Sequence, residues 1–218
     1  INIDLSASLA EAIPVYLSLV AALSLIVLLV VFRSVVVPLA ATAGFLLSIG
    51  ATMGLVVTAF GNPSFTWLVG VDRAGPVLSF LPIMATGILY GLAMDYQVFL
   101  GTSIREAYVH GETARLAVVG GVRHASRVVV AAAIIMVSVF GGFVLSEDSM
   151  IRQFGFALAV GILIDAFVIR MALIPAVLHL AGDHAWWLPG WLDRILPEVG
   201  GEGTRREVAG AVVEDAPR

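Results

Sequence analysis

Gly87-Ile88-Leu89-Tyr90-Gly91-Leu92-Ala93-Met94-Asp95-Tyr96-Gln97-Val98-Phe99-Leu100 is an apolar run long enough, with its flank, to cross a bilayer, and it holds a carboxylate well inside. A charged Asp at the centre of a membrane helix costs about 2.5–3.5 kcal/mol on insertion scales, so it should face helices or water rather than lipid. Gly87, Gly91 and Asp95 recur every fourth residue and therefore share one ridge of a helix. Small residues on a ridge let a second helix approach closely, which predicts that Asp95 sits at a helix–helix seam. Such an Asp is either a structural hydrogen-bonding group or a protonatable switch.

The rest of the chain has the same character. Of 218 residues, 60% are apolar and mean hydropathy is +1.01, which fits several membrane spans and no soluble domain of this size. All twelve basic residues are Arg and there is no Cys, so disulfides, thiol catalysis and zinc–thiolate sites are excluded. The four His are scattered, without ligand spacing. No nucleophile motif, metal cluster or nucleotide-binding loop appears, and Gly120-Gly121 alone is no phosphate cradle. The expectation is a protein that is not an enzyme, has no cofactor or metal, and has no nucleic-acid partner.

Five spans are predicted, at about 14–32, 35–60, 80–101, 127–145 and 151–180. Residues 1–12 read as a polar stub, 13–181 as the membrane bundle and 182–218 as a tail, partly disordered beyond Pro197. Pro14 suits the first turn of its helix. Gly50 and Gly54 form a GxxxG step in the second span. Residues 102–126 interleave Arg105, Glu106, His110, Arg115 and Arg123 with apolar residues, which predicts one or two interfacial amphipathic helices interrupted at Gly111. Trp186, Trp187 and Trp191 cluster where an aromatic belt would lie.

Arginines set the expected orientation. Arg33, Arg105, Arg115, Arg123 and Arg127 fall on one side with Arg194, Arg205, Arg206 and Arg218; the other side holds Arg73 and Arg152 among Asp4, Glu11, Asp72, Glu147 and Asp148. The positive-inside rule puts the N-terminus outside, the C-terminus in the cytoplasm and residues 1–12 in an extracytoplasmic position. An odd number of spans, an external N-terminus, a start at Ile1 and no signal-peptide pattern predict a piece of something longer.

Two further ionisable residues lie in the fifth span. Asp165 shares a ridge with Ala157 and Gly161, the pattern already seen in Gly87, Gly91 and Asp95, so spacing sends both carboxylates to close seams. Arg170 lies nearer the helix end, where it either snorkels or neutralises a carboxylate, and its position favours a plain structural role. Desolvation disfavours the charged form of a carboxyl, which suits a group that exchanges protons near neutral pH. Tyr96 points about 100° round the helix from Asp95, so its hydroxyl is placed for a carboxylate on a facing helix rather than for its own neighbour.

The run from Gly91 to Leu100, followed by Ser103-Ile104-Arg105-Glu106, closely resembles the signature of the MMPL family, within the resistance-nodulation-division superfamily of proton-driven exporters. Ile164-Asp165-Ala166, Ile169-Arg170-Met171 and Pro175-Ala176-Val177 resemble that family's last membrane helix, and Trp186-Trp187-Leu188-Pro189 with Trp191-Leu192-Asp193-Arg194 resembles the tail of actinobacterial members. The resemblance implies an all-α polytopic membrane protein matching the last five of twelve spans, in the plasma membrane. The first half, the seventh span and both porter domains are absent, and these would be its partners, together with membrane lipids and a lipid or other hydrophobic substrate. In the family an Asp-Tyr pair from each half meets between the fourth and tenth helices; Asp95 and Tyr96 match the tenth-helix pair. Gln97 stands where the family often has Glu.

The implied function is proton-motive-force-driven export, with protons as the coupling ion, Asp95, Tyr96 and Asp165 as relay residues, and Gly87, Gly91 and Gly161 packing the helices around them. The alternative is a lipid- or sterol-sensing-like or secretion-accessory module that does not transport; such a module has no need of a protonatable Asp-Tyr pair. Substrate identity and oligomeric state stay open, because specificity should lie largely in the absent porter domains.

Overall fold

In the computed structural model, residues 2–70, 75–111 and 113–193 are described, and no strand occurs among them. Helix α1 covers Asn2–Phe32, α2 Val36–Gly61, α3 Leu81–Val109 and α4 Ala114–Phe143. Helix α5, Ser149–Leu163, runs into a π-helical segment, Ile164–Leu173, and then into α6, Ile174–Ala181. Short 3₁₀ turns at Thr66–Val69 and Gly182–Trp186 and a final turn, α7, Gly190–Asp193, complete the order. Five helices are long and apolar enough to cross a membrane, the last running through Ser149–Trp186. The five expected spans match this order.

Hydrogen bonds between the connections sort them into two ends of an up-and-down bundle. At the arginine-rich end, Arg105 Nη1 donates to the Val31 carbonyl (3.2 Å), Val35 N–H to the Trp187 carbonyl (3.3 Å), and Ser34 Oγ to the Ala185 carbonyl. At the opposite end, Gln153 Oε1 accepts from Leu78 N–H (3.0 Å) while its Nε2 donates to Pro76 O (3.3 Å). Arg152 Nη1 there reaches Gly70 O at 2.8 Å, and Asp148 caps α5 by accepting from Met150 and Ile151 N–H.

Some local expectations need correction. Pro14 is not in a first turn: α1 begins at Asn2 and contains Pro14 in its interior, so the polar stub continues the same helix. Residues 102–126 do not lie apart on the interface. They lengthen α3 by about two turns and α4 by more than three, and the break falls at His110–Thr113, where Gly111 takes φ +99°. Burying the apolar side of these turns against each other wins over lying on a membrane surface: Ile104 and Ala117 are fully buried, and Gly121 brings α4 onto the α3 backbone at Ile104. The GxxxG step of α2 faces outward, with nothing within 4 Å of a Cβ placed at Gly50 or Gly54. Trp186 is not part of a lipid-facing belt but stacks on Tyr108, centroids 5.3 Å apart, while Trp187 is exposed. The tail beyond Asp193 and the ring of Trp191 lie outside the described residues.

Two apolar clusters fill the bundle. One, toward the Gln153 end, includes Val20, Phe45, Leu89, Ala93 and Ala166; the other, toward the arginine-rich end, includes Leu28, Ala41, Leu100, Ile104 and Ile169. Where they meet, three helices and the π-helical segment carry a buried polar residue in place of an apolar one: Ser24 in α1, Thr42 in α2, Gln97 in α3, and Asp165 and Arg170 in the π-helical segment. That layer positions the site.

Candidate functional site

The centre of the layer is an ion pair within one span. Arg170 Nε donates to Asp165 Oδ2 at 2.6 Å, with both side chains buried. In an α-helix, residues five apart lie about 140° round the axis and point to different faces. Here they meet because Ile164–Leu173 is wound in the wider π register, whose hydrogen bonds join residues five apart. Pro175 gives a local cause. It has no N–H for the carbonyl four residues back, at Met171, and its ring crowds that carbonyl, so the helix just before it is pushed out of α geometry.

Arg170 also reaches across the seam to α3. Its Nη1 donates to Gln97 Oε1 at 3.0 Å, and its guanidinium carbon lies 6.0 Å from the centroid of the Tyr96 ring. A charged fork inside an apolar bundle must be satisfied on several sides, and one carboxylate, one amide oxygen and one aromatic ring do this. Arg170 therefore neutralises a carboxylate and does not snorkel. Asp165 keeps one oxygen, Oδ1, buried without a hydrogen-bond partner among the described residues. Beside the layer lies a cavity of about 10 Å³ bordered by Ser24, Tyr90, Gln97 and Arg170, close to the room a single water needs.

The second ridge expectation divides. Gly161 does form a tight seam: a Cβ there would fall 2.5 Å from Leu89 Cδ1 and 3.3 Å from Thr52 Oγ1. Gly87 meets the Tyr16 hydroxyl of α1. Among the described residues nothing lies within 4 Å of a Cβ placed at Gly91, and Asp95 is exposed. Asp95 sits midway along an open stripe of α3 comprising Met84, Ile88, Gly91, Asp95, Phe99 and Thr102, on the side away from buried Ala93, Gln97 and Leu100. Asp165 and Tyr96 thus join one site through Arg170, while Asp95, one residue before Tyr96, opens onto the bare face.

Sequence reasoning missed Gln97 as a ligand of Arg170, and the contributions of Ser24 and Thr42. Single small polar residues in apolar runs announce no partner. The one readable signal was the five-residue spacing of Asp165 and Arg170 followed by Pro175.

Comparison with known proteins places these residues in a family. The MMPL family pattern matches residues 1–206. The chain belongs to the MMPL family. Membrane protein YdfJ of Bacillus subtilis is 46% identical over 203 residues, covering 93% of this chain and 28% of YdfJ. The mycolic acid-containing lipids exporter MmpL11 of Mycolicibacterium smegmatis is 42% identical over 135 residues, 61% of this chain and 14% of that protein. The trehalose monomycolate exporter MmpL3 of the same organism is 34% identical over 143 residues, 62% and 14% respectively. This MMPL chain therefore spans between about a seventh and a little over a quarter of the length of these relatives. It is a multi-pass membrane protein, with the cell membrane its expected location.

Proposed function

We propose that the chain is the C-terminal membrane half of a proton-motive-force-driven exporter of lipids or other hydrophobic molecules, with Asp95, Tyr96 and Asp165 as its proton relay. The observation that carries this is the open stripe of α3 with Asp95 at its middle. An ionised Asp at that depth is costly against lipid, so the stripe calls for a further protein helix, and Gly91 leaves room for its backbone. Asp95 on that face and the Asp165–Arg170 pair behind it lie on two sides of Tyr96. A proton arriving at Asp95 changes the charge beside the Tyr96 ring, and Arg170 feels that change through the ring and through Asp165. Asp165 Oδ1 has the unused acceptor position that a proton or water needs. Because Gln97 is neutral, Asp165 is the one carboxylate paired with Arg170 among the described residues, and its protonation would leave the guanidinium without that counter-charge. The names of the MmpL3 and MmpL11 relatives support lipids as cargo. Each proton moved across 100 mV supplies about 2.3 kcal/mol, so a strongly uphill cycle needs several protons or a pH gradient as well.

The test is Asp95→Asn in the form of the protein that the cell makes, reconstituted in proteoliposomes. Asn keeps the size but neither takes nor releases a proton, so proton-driven transport per folded molecule should disappear while expression and thermal stability hold or rise. Near-normal transport by Asp95→Asn under an imposed gradient would sink the relay. A loss of activity only in proportion to lost folded protein would make Asp95 a structural residue.

A further inference from the structure

At the arginine-rich end an apolar groove of about 580 Å³ runs between the start of α4 and α6. Val118, Val122, Pro175 and Ala176 line it together with Arg123 and His179. Helix α4 has 30 residues and is therefore about 45 Å long, against a hydrocarbon core of about 30 Å. Its first turns, with Arg115, accordingly fall at headgroup depth beside the end of α6, and the groove runs inward from there toward the hydrocarbon. An apolar groove at that depth would hold water against hydrocarbon walls unless an apolar molecule filled it.

The charge beside the groove names the occupant. Arg115, Arg123 and Arg127 are all exposed, and their spacing of eight and four residues puts them with Val119 along one side of α4. Val119 and Leu180 stand out at the lip, 57% and 82% exposed. A hydrocarbon slot beside a row of guanidinium groups fits a molecule with an acyl chain and a phosphate. The helix that would cover Asp95 is not that occupant. Asp95 lies nine residues before Ile104, about 180° round α3, and Ile104 is the residue that packs on Gly121 of α4. The groove and the open stripe therefore belong to different sides of the bundle.

We propose that this groove binds an anionic phospholipid of the adjoining leaflet, with its phosphate on Arg115 and Arg123 and one acyl chain running inward between Val118, Val122, Pro175 and Ala176. The lipid is a resident of the fold rather than its cargo, and the assignment does not depend on proton coupling.

Native mass spectrometry of the intact protein, released from nanodiscs holding equal amounts of phosphatidylglycerol and phosphatidylcholine with identical chains, tests it. Phosphatidylglycerol should be retained about tenfold over phosphatidylcholine. The double variant Arg115→Gln/Arg123→Gln should bring the two to parity. Ala176→Trp, which fills the groove, should remove the retained lipid in protein that still elutes as a single species. If Ala176→Trp does not fold, Val119→Trp at the lip takes its place with the same expected loss. Equal retention of both lipids by the unaltered protein, or a preference for phosphatidylglycerol that survives the double variant, would overturn the proposal. So would a structure of the intact protein with a polypeptide segment or a second copy seated in the groove.

Discussion

A buried arginine is the residue on which this bundle turns. Arg170 is held by Asp165, Gln97 and the face of Tyr96, and each contact compensates part of the cost of removing a guanidinium from water. Removing one partner of a buried pair costs more than removing both, because the remaining charge is left alone. Arg170→Gln should therefore lower stability by about 3–5 kcal/mol, while Asp165→Asn combined with Arg170→Gln should recover most of that loss. Thermal unfolding in detergent reads both, and equal melting points for the single and double variants would mean that the pair is not coupled. Transport assays on Asp165→Asn separate a relay role from a structural one. Unchanged transport per folded molecule would remove Asp165 from the relay and leave it as Arg170's counter-ion. Tyr96→Phe keeps the ring beneath Arg170 and deletes only the hydroxyl, so it should reduce transport without reducing stability. A large stability loss would mean that the hydroxyl has a packing role instead.

Among the elements, the glycines divide by what lies opposite them. A Cβ at Gly121 would fall 2.7 Å from the Ile104 Cα, a backbone atom that cannot swing aside, whereas Gly54 in α2 has open space. Gly121→Ala should push α3 and α4 apart and cost about 1–3 kcal/mol, and Gly54→Ala should be neutral or slightly stabilising. Gly161→Leu belongs with the first group, since the Leu89 side chain and Thr52 already occupy its surroundings. Paired melting curves decide the matter: equal effects at Gly121 and Gly54 would contradict the close α3–α4 approach. The π-helical segment obeys the same logic of neighbours. Its width brings Asp165 onto Arg170, and ordinary α geometry resumes on either side of it.

For the whole molecule, the hydrogen bonds that sort the connections into two ends make a definite topology test. Arginine asymmetry predicts that the end containing Thr113 faces the cytoplasm and the end containing Ser149 faces outward. In intact cells an impermeant thiol reagent should modify Ser149→Cys and leave Thr113→Cys unlabelled until the membrane is opened. The chain has no cysteine of its own to blur the result. Labelling of Thr113→Cys from outside would reverse the orientation, though it would leave the two ends as the hydrogen bonds define them. The open stripe of α3 belongs to this scale too, because the proposed relay calls for a further helix against the row with Asp95 at its centre.

What the sequence determined by itself was the number of spans, their order and the residues that carry charge into the membrane. Those properties are local: a run of apolar side chains commits its own backbone to a helix, and an Asp or Arg within it is costly wherever the neighbours lie. The tertiary structure alone decided which charges meet. Gly87, Gly91 and Asp95 share the pattern of Ala157, Gly161 and Asp165, yet Gly161 and Asp165 are enclosed by this chain while Gly91 and Asp95 are left open. A ridge of small residues states that a helix can come close, but not which helix does. Arg170 looked like a helix-end arginine because it lies near the end of its span, and α geometry would turn it away from Asp165. The π register reverses that, and the buried guanidinium is further held by Gln97 and Tyr96, more than seventy residues away in the chain.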